Sequence, residues 1–340
     1  MAEIIPNVYQ LRLPLPGSPV GNVNAYLIKG DSGCLLIDTG WDNEQALRSM
    51  EKQLAEAGIC FEDISQIVAT HVHPDHYGMA GRLKELSQAK LAMHYLENDL
   101  VASYGDINKL IQEQVQWALT NGMPANELAR ELSQLQADHP EAMTFAAPVL
   151  PDTTLRGGEI ISVGSFDFKV LWTPGHSAGH ICLYEPNKEI LVSGDHIMAN
   201  INTDIALEPY SRPNPLGDYL NSLNEIKQLK INITLPGHGN PFAGLQQRIE
   251  AIIRSKRQRS SEILETVRTE AKTARQICGE ITWMINMNQV SWQDVSPWDK
   301  SLAMVETLAH LESMRFSGKV DKFYSDGIIY YQYITRQPDI

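Results

Sequence analysis

Two histidines two residues apart, His71 and His73, constrain this chain more than any other feature. Side chains at i and i+2 do not share a helix face. One ion can therefore gather both only from a strand end or a loop. They belong to Thr70-His71-Val72-His73-Pro74-Asp75-His76, where three of the chain's ten histidines and a carboxylate fall within six residues. Imidazole and carboxylate are the ligands of Zn²⁺, Fe²⁺ and Mn²⁺ sites. A H-E-x-x-H zinc motif would need one helix face, which this spacing rules out. The flanks agree. Residues 64–70 read as a short buried strand rich in β-branched residues, and Gly78 to Gly81 lead into a helix over 82–86. The cluster is expected on a strand-to-helix loop, where a rigid scaffold displays a site.

Three later segments repeat the same grammar. Residues 170–176 are an apolar run ending in Pro174-Gly175-His176, residues 190–196 end in Gly194-Asp195-His196, and residues 231–239 end in Pro236-Gly237-His238-Gly239. Each is a buried strand, a glycine, then a side chain able to bind metal. A lone histidine after Pro-Gly is usually a turn residue, but four such strand ends in one chain point to a shared site.

Together these residues resemble the metallo-β-lactamase fold family, through its His-x-His-x-Asp-His motif and the later His, Asp and His in the same order. The resemblance covers about residues 5 to 245. The wording Thr-Pro-Gly-His-Ser-Ala-Gly-His (173–180) is similar to the glyoxalase II-like hydrolase branch. The fold it implies is α/β, an αββα sandwich of two β-sheets with metals at one edge. It implies a binuclear site: His71, His73 and His176 on one ion, Asp75, His76 and His238 on the other, and Asp195 bridging them. Seven ligands are too many for one four-coordinate ion and suit two. Position 73 is His rather than Glu, which argues against the oxygen-reducing di-iron branch. Asp38 ends an earlier strand over 34–38. It reads as an acceptor that orients a ligand histidine or the loop backbone, with an ordinary turn aspartate as the alternative. His180 and His196 stand beside the ligands, with supporting and purely structural roles both open. His94 reads as structural or pocket-lining. His139 and His310 read as ordinary surface residues.

The activity implied is that of a zinc-dependent hydrolase with two divalent ions, iron or manganese being the alternatives to zinc. A metal-bridging hydroxide would cleave a small thioester, ester or lactone, with Asp75 and Asp195 as its catalytic carboxylates. Three other readings compete: a metal-dependent nuclease acting on RNA or DNA, a non-catalytic binding protein on a retained fold, and a mononuclear iron sulfur-oxidising enzyme. Charge bears on the first. Residues 246–340 carry 13 Lys+Arg against 12 Asp+Glu, which leaves 15 against 29 in residues 1–245, a net of −14. An acidic body is a poor partner for polyphosphate, so a small-molecule substrate is expected and nucleic acid is not.

Hydrophobic and charged contents of 43% and 20% are those of a globular chain. No apolar run approaches a bilayer span, and the first residues lack a signal peptide's basic and apolar regions. Four scattered cysteines, Cys34, Cys60, Cys182 and Cys278, show no paired spacing. A cytoplasmic protein without disulfides or membrane attachment is expected, with a homodimer left open.

The chain divides at coarse grain into a catalytic domain, 1–245, and a small C-terminal domain, 246–340. Strands are expected over 7–13, 25–29 and 34–38, with a hairpin turn at 30–33 and a helix over 42–57. A helical insertion at 95–146 interrupts the pattern, with helices over 107–121 and 127–137. It reads either as a lid over the site carrying Trp117 and Met123, or as a local core. Residues 245–269 form a long helix whose Arg254, Lys256, Arg257 and Arg259 read as a solvated face. Helices over 273–279 and 301–317 and a hairpin turning at Asp326-Gly327 then resemble a winged-helix-like extension.

Overall fold

The structure is a computed structural model and describes residues 1–15, 21–138, 148–285 and 288–335. It contains two compact units: residues 1–105, 144–203 and 221–249, and residues 106–143, 204–220 and 250–340.

The first unit holds two mixed sheets. The seven-stranded sheet runs in chain order through β1 (Ala2–Ile5), β2 (Val8–Pro14), β3 (Asn22–Lys29), β4 (Cys34–Ile37), β5 (Ile64–Val68), β6 (Lys90–His94) and β7 (Thr153–Leu155). Its first four strands pair antiparallel and β4 to β7 pair parallel. The five-stranded sheet comprises β8 (Ile160–Val163), β9 (Phe166–Trp172), β10 (Ile181–Glu185), β11 (Ile190–Gly194) and β12 (Ile233–Pro236). Here β8 to β11 are antiparallel, and β11 pairs parallel with β12.

The apolar runs read in the sequence follow from burial on both sheet faces. Alternate residues of one strand enter different cores. From β3 and β4, Val23, Ala25, Leu27, Cys34 and Leu36 face a core built with the helix Glu44–Glu56 through Ala46, Met50 and Leu54. Tyr26, Ile28, Leu35 and Ile37 face the opposite way, against Phe168, Val170, Ile181, Leu183 and Val192 of the second sheet. That second core is the middle of the sandwich. Every residue of β10 and β11 is buried as well, so the second sheet is covered on both faces at these strands, while β8 and the start of β9 alternate buried and exposed residues. Parallel β4 and β5 direct their C-terminal ends one way, and so do β9, β11 and β12. The loops after these ends bear Asp38, the 71–76 cluster, His176, Asp195 and His238.

The second unit has its own core. The helices Ile107–Thr120, Ala125–Asp138, Leu245–Thr266 (most of it), Ala274–Glu280 and Pro297–Phe316 belong to it. So do two hairpins, β13 (Trp283–Ile285) with β14 (Asn288–Val290), and β15 (Val320–Ser325) with β16 (Ile328–Tyr333). The β15–β16 turn places Asp326 and Gly327 at φ 51° and 78°, the paired left-handed residues a tight hairpin requires. Most of the 95–146 segment thus clusters with the C-terminal residues. Trp117 packs against their core, which contains Trp292, Leu308 and Tyr331. Arg275 grips the Glu127 carboxylate with bonds of 2.7 and 3.0 Å.

Three expectations about this region change. The last long helix starts at Pro297 rather than 301, because Ser296 caps it by accepting the Asp299 N–H ahead of a proline in the first turn. His310 is not a surface residue: six consecutive residues, Thr307–Glu312, are buried, and its Nδ1 lies 2.8 Å from Ser260 Oγ. A helix buried on most sides has no polar stripe from which to read its exposed face. Lys256 also leaves the solvated basic face, being buried and bonded to Glu306 at 2.7 Å. His139 lies outside the described residues. All four cysteines are free, with only Cys60 exposed. Among the described residues no helix is long and apolar enough to cross a membrane.

Candidate metal centre

The strand ends deliver their polar side chains to one place. Among the described residues three sets of donors converge, each within 4.8 Å: His71, His73 and His176; His71, His76 and Asp195; and Asp75, His76 and His238. Asp195 links them. Its Oδ1 lies 3.3 Å from His76 Nε2, and its Oδ2 lies 3.5 Å from His238 Nε2 and 3.7 Å from His176 Nε2. Asp75 Oδ2 is 3.2 Å from His238 Nε2 and 3.6 Å from His76 Nε2. His71 Nε2 is 3.1 Å from His73 Nδ1.

The hydrogen bonds behind these groups determine which ring nitrogens face inward. Asp38, buried at the end of β4, accepts the Thr70 N–H at 2.7 Å, the Thr70 hydroxyl at 2.9 Å and His76 Nδ1–H at 2.8 Å. The Thr70 hydroxyl has one proton and gives it to Asp38, so Thr70 Oγ1 accepts from His71 Nδ1, 3.0 Å away. His238 Nδ1 donates to the Asn22 carbonyl at 3.0 Å. In all three rings Nδ1 is committed outward, and Nε2 is left to present its lone pair to the cluster. His76 Nε2 and Asp195 Oδ1 are buried and face each other without a hydrogen bond. Buried lone pairs aimed at buried carboxylates are costly unless a cation lies among them. The donor set therefore fits divalent metal.

The electrostatics separate the histidines into two kinds. Burial and the neighbouring histidines hold His71 well below the usual histidine range, and burial with His176 takes His73 down to about 3. Burial opposes charge on His76 and His238 too, but Asp195 and Asp75 outweigh it. His76 rises well above its usual range and His238 to about 10. A divalent ion would compete with protons for those lone pairs, so metal uptake should release protons.

The superfamily is decided by one match. The family model of the metallo-β-lactamase superfamily aligns with residues 18–238. The chain belongs to the metallo-β-lactamase superfamily. A probable metallo-hydrolase of Bacillus subtilis, YqjP, is 26% identical over 334 residues, covering 97% of this chain and 99% of that one. The acyl-coenzyme A thioesterase MBLAC2 of Homo sapiens is 29% identical over 235 residues, 64% of this chain and 74% of its own. Among solved structures, the metallo-β-lactamase family protein TTHA1429 of Thermus thermophilus superposes with a TM-score of 0.81 at 28% identity, over 98% of this chain and all of that one.

In this superfamily member the remaining histidines stand beside the donors. His180 Nε2 accepts the Asp195 N–H at 3.2 Å and its Nδ1 pairs with Thr173 Oγ1 at 2.9 Å, so it holds the backbone of Asp195. Burial, His196 and His176 keep His180 well below its usual range. His196 is buried, with its ring 5.6 Å from that of His180, and belongs to none of the three donor sets. His94 is buried and stacks on Trp172, also outside the sets.

Several positioning residues escape a sequence reading. Asn24 Nδ2 donates to the carbonyls of Pro236 and Gly239, both at 2.9 Å, and Tyr26 Oη donates to Pro236 at 2.8 Å. These N-terminal strand residues clamp the loop carrying His238. Asparagine at 22 and 24 inside a strand was the available signal, since strands disfavour it. Thr203 Oγ1 donates to the Asp195 carbonyl at 2.6 Å. Glu97, buried after β6, accepts from Ser177 Oγ at 2.7 Å, from the Gly179 N–H, and from the Val72 N–H at 3.3 Å. Burial pushes its carboxyl up, and these bonds oppose that rise. Nothing local in the sequence marks it.

Gly237 is required by close approach. A Cβ there would collide with Asp195 Oδ1 and lie 2.6 Å from His76 Cε1. Gly237→Ala is expected to weaken metal binding about 10–100-fold, the usual effect of disturbing ligand support, in a chain that still folds. Chelator competition read against circular dichroism checks this. Unchanged affinity would show that the loop yields without moving Asp195.

Proposed function

We propose that this chain is a binuclear metal-dependent hydrolase of small thioesters, with esters and lactones open to the same chemistry. The observation that carries the reading is the convergence of seven donors in which three Nε2 lone pairs are preset by their Nδ1 bonds. His71, His73 and His176 would hold one ion, Asp75, His76 and His238 the other, and Asp195 would reach both. An imidazole-rich set with few carboxylates suits zinc. When bound, two such ions supply Lewis acidity and lower the pKa of a bound water to roughly 7.

The chain's own residues do the rest. His180 and Thr203 fix Asp195 from behind. Asp75 is the more accessible carboxylate, its side chain 18% exposed against 10% for Asp195. It can orient a nucleophile against His238 and take up its proton where solvent can remove it. Support for a thioester comes from the thioesterase relative and from the −14 balance of residues 1–245, which disfavours polyphosphate.

A hydrolysis panel of acyl-coenzyme A thioesters, aryl esters, lactones, phosphodiesters and RNA tests this, run on zinc-reconstituted protein. Thioester kcat/KM is expected to exceed that for phosphodiesters by at least about 10²-fold, ~2.7 kcal/mol of transition-state preference. RNA cleavage that vanishes in His73→Ala, with no thioester hydrolysis, would replace the proposal with a nuclease.

A further inference from the structure

We propose that Glu97 is the positioning residue that locks together the two loops supplying His71, His73 and His176, and thereby sets the affinity of that donor group for its cation. This rests on the metal reading above.

Glu97 is 1% exposed and donates nothing to the three donor sets. It closes the short turn Tyr95–Glu97 after β6. Its Oε2 accepts the N–H of Val72, the residue between His71 and His73. Its Oε1 accepts the Ser177 hydroxyl and the Gly179 N–H, just beyond His176. One carboxylate thus joins two loops about a hundred residues apart in sequence. Both loops carry imidazoles of the same group. Burying a carboxylate costs several kcal/mol unless its lone pairs are met, and here both oxygens are met by donors from ligand loops. The fit leaves no slack. A Cβ on Gly179 would lie 2.7 Å from Glu97 Oε1, 2.8 Å from its Cγ and 2.9 Å from His94 Nδ1. Only glycine lets the 177–179 backbone approach this closely.

The chemistry singles out a carboxylate. It accepts at both ends, so it can hold both loops. Glutamine accepts at one end and presents an N–H₂ at the other, which would face either the Val72 N–H or the Ser177 and Gly179 donors. One loop is then released. In the second donor group, His76 is held by Asp38 and His238 by the Asn22 carbonyl rather than by Glu97. Loss of Glu97 should therefore be felt by one group only.

The test is a stepwise cobalt(II) titration of the metal-stripped full chain, followed by visible absorption, for wild type, Glu97→Gln, Gly179→Ala and His73→Ala. Wild type should bind two ions. Glu97→Gln should keep one binding step and weaken the other about 10–100-fold. Adding Glu97→Gln to His73→Ala should leave the surviving step unchanged. Gly179→Ala, which retains the carboxylate but pushes against it, should weaken the same step. It also supplies the answer if Glu97→Gln fails to fold. Two unaltered steps in both variants would overturn the role of Glu97 and leave the metal reading standing. Equal weakening of both steps, or further loss in the His73→Ala background, would make Glu97 a general structural residue and overturn the proposal. Wild type binding no cobalt would sink the metal reading first, and this inference with it.

Discussion

Asp195→Asn is expected to reduce hydrolysis about 10³-fold, ~4 kcal/mol in the barrier, and to weaken both metal-binding steps together. The asparagine keeps the size of the side chain and the bonds that hold its backbone, namely His180 to the N–H and Thr203 to the carbonyl. It loses the charge and one acceptor. Asp195 lies 3.3 to 3.7 Å from His76, His238 and His176, and so borders both donor groups. A neutral amide there removes the carboxylate that two cations would share. His73→Ala is the contrast, since His73 belongs to one group alone, and it should abolish one step and spare the other. Metal titration of both variants makes the comparison. If Asp195→Asn weakened a single step, Asp195 would belong to one ion and the bridging assignment would fail.

Asp38→Ala is expected to cost stability on the order of 3 kcal/mol, as a buried acceptor of three bonds is removed and its donors are left unpaired. The Thr70 N–H, the Thr70 hydroxyl and His76 Nδ1 all depend on it. Backbone geometry adds to the loss, because Asp38 sits at φ 62°, a left-handed conformation that aspartate tolerates better than alanine. In a thermal melt of metal-free protein the effect corresponds to roughly 6–12 °C. Metal binding by His71 and His76 should weaken as well, since both rings lose what fixes their tautomer. Asp38→Asn should fall between, keeping one acceptor. A melt unchanged from wild type would show that the loop is held by other contacts.

The loops that bear the candidate donors were legible because each is short and chemically dense. Buried strands needed continuous apolar runs, and the glycines and prolines after them marked where the chain turned. The spacing of His71 and His73 excluded a helix and so placed them on a loop. The supporting residues were harder to see. Asn24 and Tyr26 act on a loop more than two hundred residues away, and Glu97 acts on two loops at once, so no local pattern announces them. The C-terminal helix was misread at both levels for the same reason. Its start depended on a Ser-Pro cap, and the burial of His310 depended on packing from several sides, which leaves no amphipathic stripe. The insertion shows how topology defeats local reading: Trp117 packs against a core assembled from residues after 250.

The account turns on two ions held by seven side chains, and elemental analysis of the full chain tests it most directly. After reconstitution with zinc and removal of the excess, about two zinc ions per chain are expected, as two-metal hydrolysis requires, falling in Asp195→Asn and reduced by one in His73→Ala. A chain that retains no metal after reconstitution, or one ion whose retention is indifferent to both substitutions, would contradict it.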